Sequence, residues 1–275
     1  MKKNLKKIMF ALLYIGGGYL ALVGILYLIQ DKLLYHPSRH LAATPSAIHL
    51  EWEDVYFETD DGVRLNGWYI PHEESEHVVI FSHGNAGNLS YRLEFLEKLH
   101  AAGISIFIYD YRGFGISEGS PEEQGFYKDI EAAWRYLTRE KSYDPSQVIL
   151  FGRSLGGPVS AHLAQYIEPG GLVLESTFTT LQDIASEAYP IVPSRLVREE
   201  FPTVNYLQQT NAPIIMVMHS REDPLIGFHH GRELYEKAPD PKIFIELQGG
   251  HNNSFVESEE IYFRTWKEFL SDLEK

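Results

Sequence analysis

Ser154 sits in Gly152-Arg153-Ser154-Leu155-Gly156, directly after an apolar run, Val148–Phe151, and at the head of a helix-period stretch, Leu155–Ile167. A serine hydroxyl is a weak nucleophile unless it is exposed, close to a base, and backed by donors for the negative oxygen it creates. A sharp strand-to-helix turn supplies that setting, and its tightness demands glycine on both flanks, where side chains would collide. The spacing predicts a nucleophile elbow and, with it, acyl transfer through a covalent intermediate. The base must come from 12 histidines. His36, His40, His49, His72 and His77 fall in polar connectors or hairpin segments, and His100 and His162 fit helix surfaces. His251 differs, because it follows the last apolar run and Gly249-Gly250, at the carboxyl end of a strand, where open α/β sheets gather their ligands. Asp223 follows the run Ile214–Met218 in the same way and is the expected third member. Glu222 beside it and Glu175 at another strand end are the alternatives.

The loop Ser82-His83-Gly84-Asn85-Ala86-Gly87-Asn88 also follows a strand-like run and can form the other wall of the site. The backbone amides of Asn85 and Leu155 are the expected oxyanion donors, each worth about 3–4 kcal/mol in comparable sites. His83 is expected to order this loop rather than act as the base. His229-His230 suggests a metal only superficially: adjacent residues diverge around a helix, and no carboxylate stands at a ligand spacing. No metal and no organic cofactor are expected.

These groups need a scaffold that brings strand ends together. Val55–Glu58 and Arg64–Ile70 read as a hairpin with a two-residue Asp-Gly turn. Val78–Ser82, Ile104–Tyr109, Val148–Phe151, Leu172–Glu175, Ile214–Met218 and Ile243–Leu247 are continuous apolar runs, as expected of strands covered on both faces. Helix-period stretches at Arg92–His100, Gln124–Arg139, Leu155–Ile167, Phe228–Lys237 and Glu259–Asp272 alternate with them. The pattern predicts an α/β class fold, a mostly parallel eight-stranded sheet flanked by helices. Ser176–Asn211 has three prolines, many apolar residues and no strand, and reads as a helical excursion over the sheet. Its apolar residues either pack against the sheet or cap the space above Ser154; on the second reading Phe178, Tyr189 and Phe201 are the expected substrate-binding residues, lining an apolar acyl pocket.

The 275 residues are 44% hydrophobic and 23% charged, which excludes disorder and leaves ample material for one core. The absence of cysteine excludes disulfides, thiol catalysis and thiolate metal sites. From Ile8 to Ile29 no residue is charged, a length sufficient for a bilayer core of about 30 Å. Lys2, Lys3, Lys6 and Lys7 precede this run, so the positive-inside rule leaves the tail cytoplasmic and the large domain extracytoplasmic, periplasmic or luminal. A cleaved signal is the rival, but Tyr27-Leu28-Ile29-Gln30 offers no small-residue cleavage site. Residues 1–35 thus read as tail and transmembrane anchor, and 36–275 as the catalytic domain, including the 176–211 excursion. Beyond residue 35 there are 19 basic residues against 37 acidic, with no basic stripe, so nucleic acid is not an expected partner.

His83-Gly84-Asn85-Ala86-Gly87-Asn88, Tyr109-Asp110-Tyr111-Arg112-Gly113-Phe114-Gly115, the elbow through Gly157, and Gly249-Gly250-His251-Asn252 carry a resemblance. Over about residues 50–270 the chain resembles the membrane-anchored ABHD-type branch of the α/β-hydrolase superfamily. The order Ser154, Asp223, His251 is also the order of that superfamily. The resemblance implies an α/β-hydrolase fold and a serine hydrolase of esters or thioesters, in some members of acyl chains on proteins. By it Ser154, Asp223 and His251 form the triad, and the Asn85 and Leu155 amides form the oxyanion hole. The chain departs from the pattern at His219-Ser220-Arg221, where relatives usually carry glycine after the histidine. The expected substrate is a small or lipid-like acyl ester or thioester. A serine peptidase of the same fold and a non-catalytic membrane binding protein are the rival functions.

Overall fold

The apolar runs divide by parity. In the computed structural model, which describes residues 2–273, Val78 and Ile80 enter one core while Val79 and Phe81 enter another. Val148 and Leu150 part in the same way from Ile149 and Phe151. Successive side chains of a strand point to opposite faces, so a run that is apolar at every position can only lie between two covering layers. Full burial of each such side chain contributes about 1.5–3 kcal/mol.

The sheet has eight strands: β1 (Glu53–Glu58), β2 (Arg64–Ile70), β3 (Val78–Ser82), β4 (Ser105–Tyr109), β5 (Val148–Arg153), β6 (Gly171–Glu175), β7 (Ile215–Ser220) and β8 (Lys242–Leu247). Their order is β8-β7-β6-β5-β3-β4-β2-β1. The β1–β2 and β2–β4 pairs are antiparallel and every other pair is parallel. The helices are α1 (Lys2–Leu34), α2 (Leu93–Ala101), α3 (Glu123–Arg135), α4 (Gly156–Leu163), α5 (Leu181–Ala188), α6 (Thr203–Leu207), α7 (Phe228–Lys237), α8 (Ser254–Glu257) and α9 (Glu259–Leu273). Side chains of α3, α4, α6 and α7, among them Phe126, Val159, Leu207 and Leu234, close one face of the sheet. Those of α2 and α9, including Leu96, Leu99, Trp266 and Phe269, close the other.

Several expected boundaries shift for local reasons. The opening hairpin has three loop residues, Asp60–Gly62, instead of two: the Thr59 amide donates to the Val63 carbonyl (3.0 Å), the Gly62 amide donates to the Thr59 carbonyl (2.9 Å), and Gly62 has φ +79°. Such a loop ends in a left-handed residue, which glycine adopts without strain. Helix α4 stops short of Ile167 because Asn211 captures its end, donating from its backbone amide to the Ala164 carbonyl (2.7 Å) and from its side chain to the Gln165 carbonyl (2.8 Å). His162 on that helix is half-buried: it stacks on Tyr127 at 3.8 Å, and burial lowers its pKa to about 4.

The excursion is two structures, not one. α5 lines the Ser154 cavity through Leu181 and Ile184 and the short turn at Ser194–Leu196 lies beside α1, whereas Phe201 and α6 belong to the core. α1 is long and apolar enough to cross a membrane and runs without a break to Leu34, beyond the uncharged stretch. Its end enters the body of the protein. Tyr35 is buried edge-on against Phe126 (5.3 Å), and His36–Pro37 pairs in parallel with Ala86–Gly87.

Candidate active site

β5 delivers Ser154 to the turn that starts α4. Ser154 has φ +54°, a left-handed conformation that costs a non-glycine residue about 1–2 kcal/mol. Three hydrogen bonds hold it there. Its amide donates to the Glu175 carbonyl (2.9 Å), and its own carbonyl accepts from Thr177 Oγ1 (2.7 Å) and the Gly157 amide (3.0 Å). The flanking glycines are sterically required: a methyl at Gly156 would overlap the Ser82 carbonyl, and one at Gly152 would overlap the Gly156 carbonyl.

The structure brings Ser154, Asp223 and His251 together. Asp223, after β7, has Oδ2 2.7 Å from His251 Nδ1, and His251 Nε2 lies 3.1 Å from Ser154 Oγ. Asp223 Oδ1 accepts from the Leu225 (2.9 Å) and Ile226 (3.0 Å) amides. Burial alone would raise the Asp223 pKa. The hydrogen bond and charge of His251 together with the two amides outweigh it and hold the carboxyl below its ordinary value.

The alternative acids are engaged elsewhere. Glu222 Oε2 accepts from the Gly249 amide (2.9 Å), fixing the turn ahead of His251. Glu175 is buried and pairs with Arg153 Nε (3.3 Å), and it also accepts from Ser254 and Tyr262. Arg153 in turn donates to the His251 carbonyl (2.7 Å), so the residue between Gly152 and Ser154 positions the histidine loop. Sequence reasoning missed this link, although an arginine in the elbow and an acid ending the neighbouring strand were both visible. The departure at Ser220 also has a role. Its hydroxyl donates to the Gly249 carbonyl and accepts from the Glu222 amide (3.1 Å), joining the Asp223 and His251 loops.

His83 lies between the Gly84 carbonyl (2.8 Å) and Asp110 Oδ1 (3.1 Å), and that oxygen also accepts from the Leu89 amide (2.9 Å). Tyr111 donates to the His83 carbonyl (2.8 Å). Residues 109–115 therefore shape the loop that carries Asn85. Asn85 and Leu155 flank Ser154 in a cavity of ≈390 Å³, also lined by Phe178, Leu181, Ile184 and His251. The size suits a small-molecule site of about 300–1,000 Å³.

Of the three expected pocket residues, Phe178 lines this cavity. Tyr189 is 58% exposed and lines an adjacent cavity of ≈490 Å³. Phe201 is the correction: it is fully buried against Phe126 and Tyr127 of α3 and lines neither cavity. Leu34 lines the Ser154 cavity unannounced by the sequence, in which residues 1–35 read as separate from the catalytic domain, and His36, read as a connector residue, lines it too. Glu187 of α5 is another long-range surprise, 2.8 Å from His229 Nε2 and 3.3 Å from His230 Nε2. The three groups are close enough to share a metal ion, a proximity invisible in sequence spacing because the carboxylate comes from the excursion.

The comparisons with known proteins agree with this architecture. A family model described as serine aminopeptidase, S33 matches residues 73–203. The chain is 34% identical to an uncharacterised protein of Mycobacterium tuberculosis, covering 88% of each. It is 32% identical to the α/β hydrolase domain-containing protein WAV2 of Arabidopsis thaliana, covering 93% of this chain and 92% of that one. An uncharacterised membrane protein of Saccharomyces cerevisiae is 29% identical over 88% of this chain and 90% of its own. Among solved structures, an esterase of Pyrococcus furiosus superposes with a TM-score of 0.74 at 22% identity, covering 87% of this chain and 98% of that one. The chain belongs to the α/β-hydrolase superfamily. Its family and fold support a hydrolase.

Proposed function

We propose that this chain is a membrane-tethered serine hydrolase that cleaves carboxylic ester or thioester bonds of acyl substrates. The observation that carries the reading is the unbroken line from Asp223 Oδ2 through His251 to Ser154 Oγ, at 2.7 and 3.1 Å. Asp223 keeps the proton on Nδ1 and leaves Nε2 free to take the serine proton. Ser154 Oγ attacks the acyl carbonyl, and the oxyanion is received by the Asn85 and Leu155 amides. His251 then protonates the leaving group, which departs as alcohol or thiol. Water, deprotonated by His251, releases the acid and restores the serine.

The Ser154 cavity favours acyl esters over aminopeptides. An aminopeptidase needs an anion for the substrate's α-ammonium group, yet among the described residues lining this cavity none is a carboxylate, and Arg92 and Arg153 are present. The proposed organisation is a cytoplasmic tail and anchor over residues 1–35, an extracytoplasmic catalytic domain from residue 36, and a cap confined to the earlier part of residues 176–211. Fluorophosphonate labelling tests the chemistry: the protein is expected to trap the probe and Ser154→Ala to lose it, while an unlabelled wild-type protein would indicate a non-catalytic relative. Hydrolysis of aminoacyl amides in preference to esters would favour the peptidase. Alkaline-phosphatase fusions after residue 35 should be active, and a silent fusion would reverse the topology.

A further inference from the structure

We propose that the anchor helix forms one wall of an acyl-chain conduit, through which an ester substrate resident in the bilayer reaches Ser154. This rests on the serine-hydrolase reading and specifies its substrate class. The Ser154 cavity and the ≈490 Å³ cavity beside it share six lining residues: Leu34, His36, Asn85, Leu181, Ile184 and Leu225. They are two lengths of one path. The second length runs back along α1 past Leu33 to Leu26 and Val23. Eleven residues of helix from Leu34 to Val23 span about 16 Å. Val23 and Leu26 lie inside the uncharged run Ile8–Ile29, so the far end of the path opens at the depth of lipid tails.

The face of α1 on this path is distinct from the rest of the helix. Val23, Leu26, Gln30 and Leu34 are partly covered and recur at helical spacing, while Leu22, Ile25 and Leu28 point away and are exposed. The opposite wall is the cap, through Ala188 and Val192. Polar bonds pin cap to anchor on either side of this apolar seam. Tyr19 donates to the Ile191 carbonyl (2.8 Å), the Arg198 amide donates to Gln30 Oε1 (2.8 Å), and the Arg198 guanidinium pairs with Asp31 (2.6 Å). At the inner end the Asn85 side chain donates to the Leu34 carbonyl, which ties the wall of the path to a proposed oxyanion donor. An acyl chain is the occupant that fits: it is apolar along its length, it resides where the path opens, and its carbonyl is the group Ser154 attacks.

The test uses the full chain in phosphatidylcholine vesicles, with 4-methylumbelliferyl palmitate dissolved in the bilayer and p-nitrophenyl acetate in the water. Val23→Trp and Ala188→Trp fill the path far from Ser154. Each is expected to lower kcat/KM for the palmitate by about ten-fold or more while leaving acetate hydrolysis unchanged, since a blocked acyl site discriminates by chain length. Unchanged palmitate hydrolysis in both variants overturns the conduit. Should Ala188→Trp lose both activities and fluorophosphonate labelling through misfolding, Val23→Trp decides alone, because its side chain stands on the anchor outside the sheet. Failure of the underlying reading looks different: the wild type would hydrolyse neither ester, or Ser154→Ala would retain both activities.

Discussion

Around Ser154 the backbone is over-determined, whereas the seam between α1 and the stretch that follows α5 is held by a handful of side chains. The elbow combines a left-handed serine, three hydrogen bonds and glycines that cannot be replaced, all between two buried strands. The cap rests on α1 through Tyr19, Gln30 and Arg198, with Tyr189 and Ile191 exposed. Catalytic geometry tolerates almost no displacement, since positioning errors of about 1 Å can cost about 100-fold in rate. A surface that admits substrates must open and close, and it draws on weaker contacts. The contrast predicts that substitutions at the elbow act on turnover and those at the cap on selectivity.

Several substitutions can break or sharpen that division. The largest effect is expected for Ser154→Ala, a loss of about 10⁶-fold in kcat of the kind seen when comparable triads lose their nucleophile. Steady-state ester hydrolysis with an unchanged circular dichroism spectrum would check it. Asp223→Asn should cost about 10⁴-fold by admitting the wrong imidazole tautomer. Glu222→Gln should cost far less, since Glu222 bonds the Gly249 amide and not the imidazole. If the two variants rank the other way in kcat/KM, the acid is misassigned.

Two aromatic residues of the excursion probe the contrast more finely. Phe201→Ala should destabilise the protein by about 3–5 kcal/mol, as measured by urea unfolding, because a fully buried ring is removed. Tyr189→Ala should leave stability nearly unchanged and move the p-nitrophenyl ester optimum towards longer chains. Equal stability losses would erase the distinction between core and cap.

The smallest effect concerns pH. Burial, then the neighbouring Glu123 carboxylate, pushes the Glu199 pKa up to about 7, with Asp31 adding to the rise and Tyr35 also close. The folded cap segment therefore holds this proton at a pH where the unfolded segment, with an ordinary value of 4.5, has lost it. Its contribution is fully present below the unfolded value and fades as pH rises through about 7. Hydrogen exchange near residues 194–201, corrected for intrinsic rates, should show more opening at about pH 8 than at about pH 6, and Glu199→Gln should abolish the difference.

The elements of the sheet were legible because continuous apolar runs and helical periods are local signals. All eight strands lie where those runs stand, and the groups on their carboxyl ends converge as the elbow and the Gly-Gly-His loop suggest. Contacts formed across long separations were not legible. Nothing in the spacing of Phe201 distinguishes a core ring from a pocket ring, because both are apolar residues in a proline-rich stretch. Glu187 reaches His229 from 42 residues away, and His230 beside it. The Arg153, Glu175 and His251 chain spans three elements. The N-terminal helix was legible as a hydrophobic segment, but its composition gives no hint that its end lines the Ser154 cavity.

That last feature bears on how freely this protein can be re-engineered or diversified. A tether that only retains an enzyme at a surface is interchangeable with any helix of equal length and hydropathy. Here the end of α1 is bonded to Asn85, and the strand pairing of His36–Pro37 fixes its rotation about its own axis. A grafted anchor would therefore have to match in phase as well as in length. A single residue inserted near position 33 would turn Val23 and Leu26 by about 100° away from the cap while leaving hydropathy untouched.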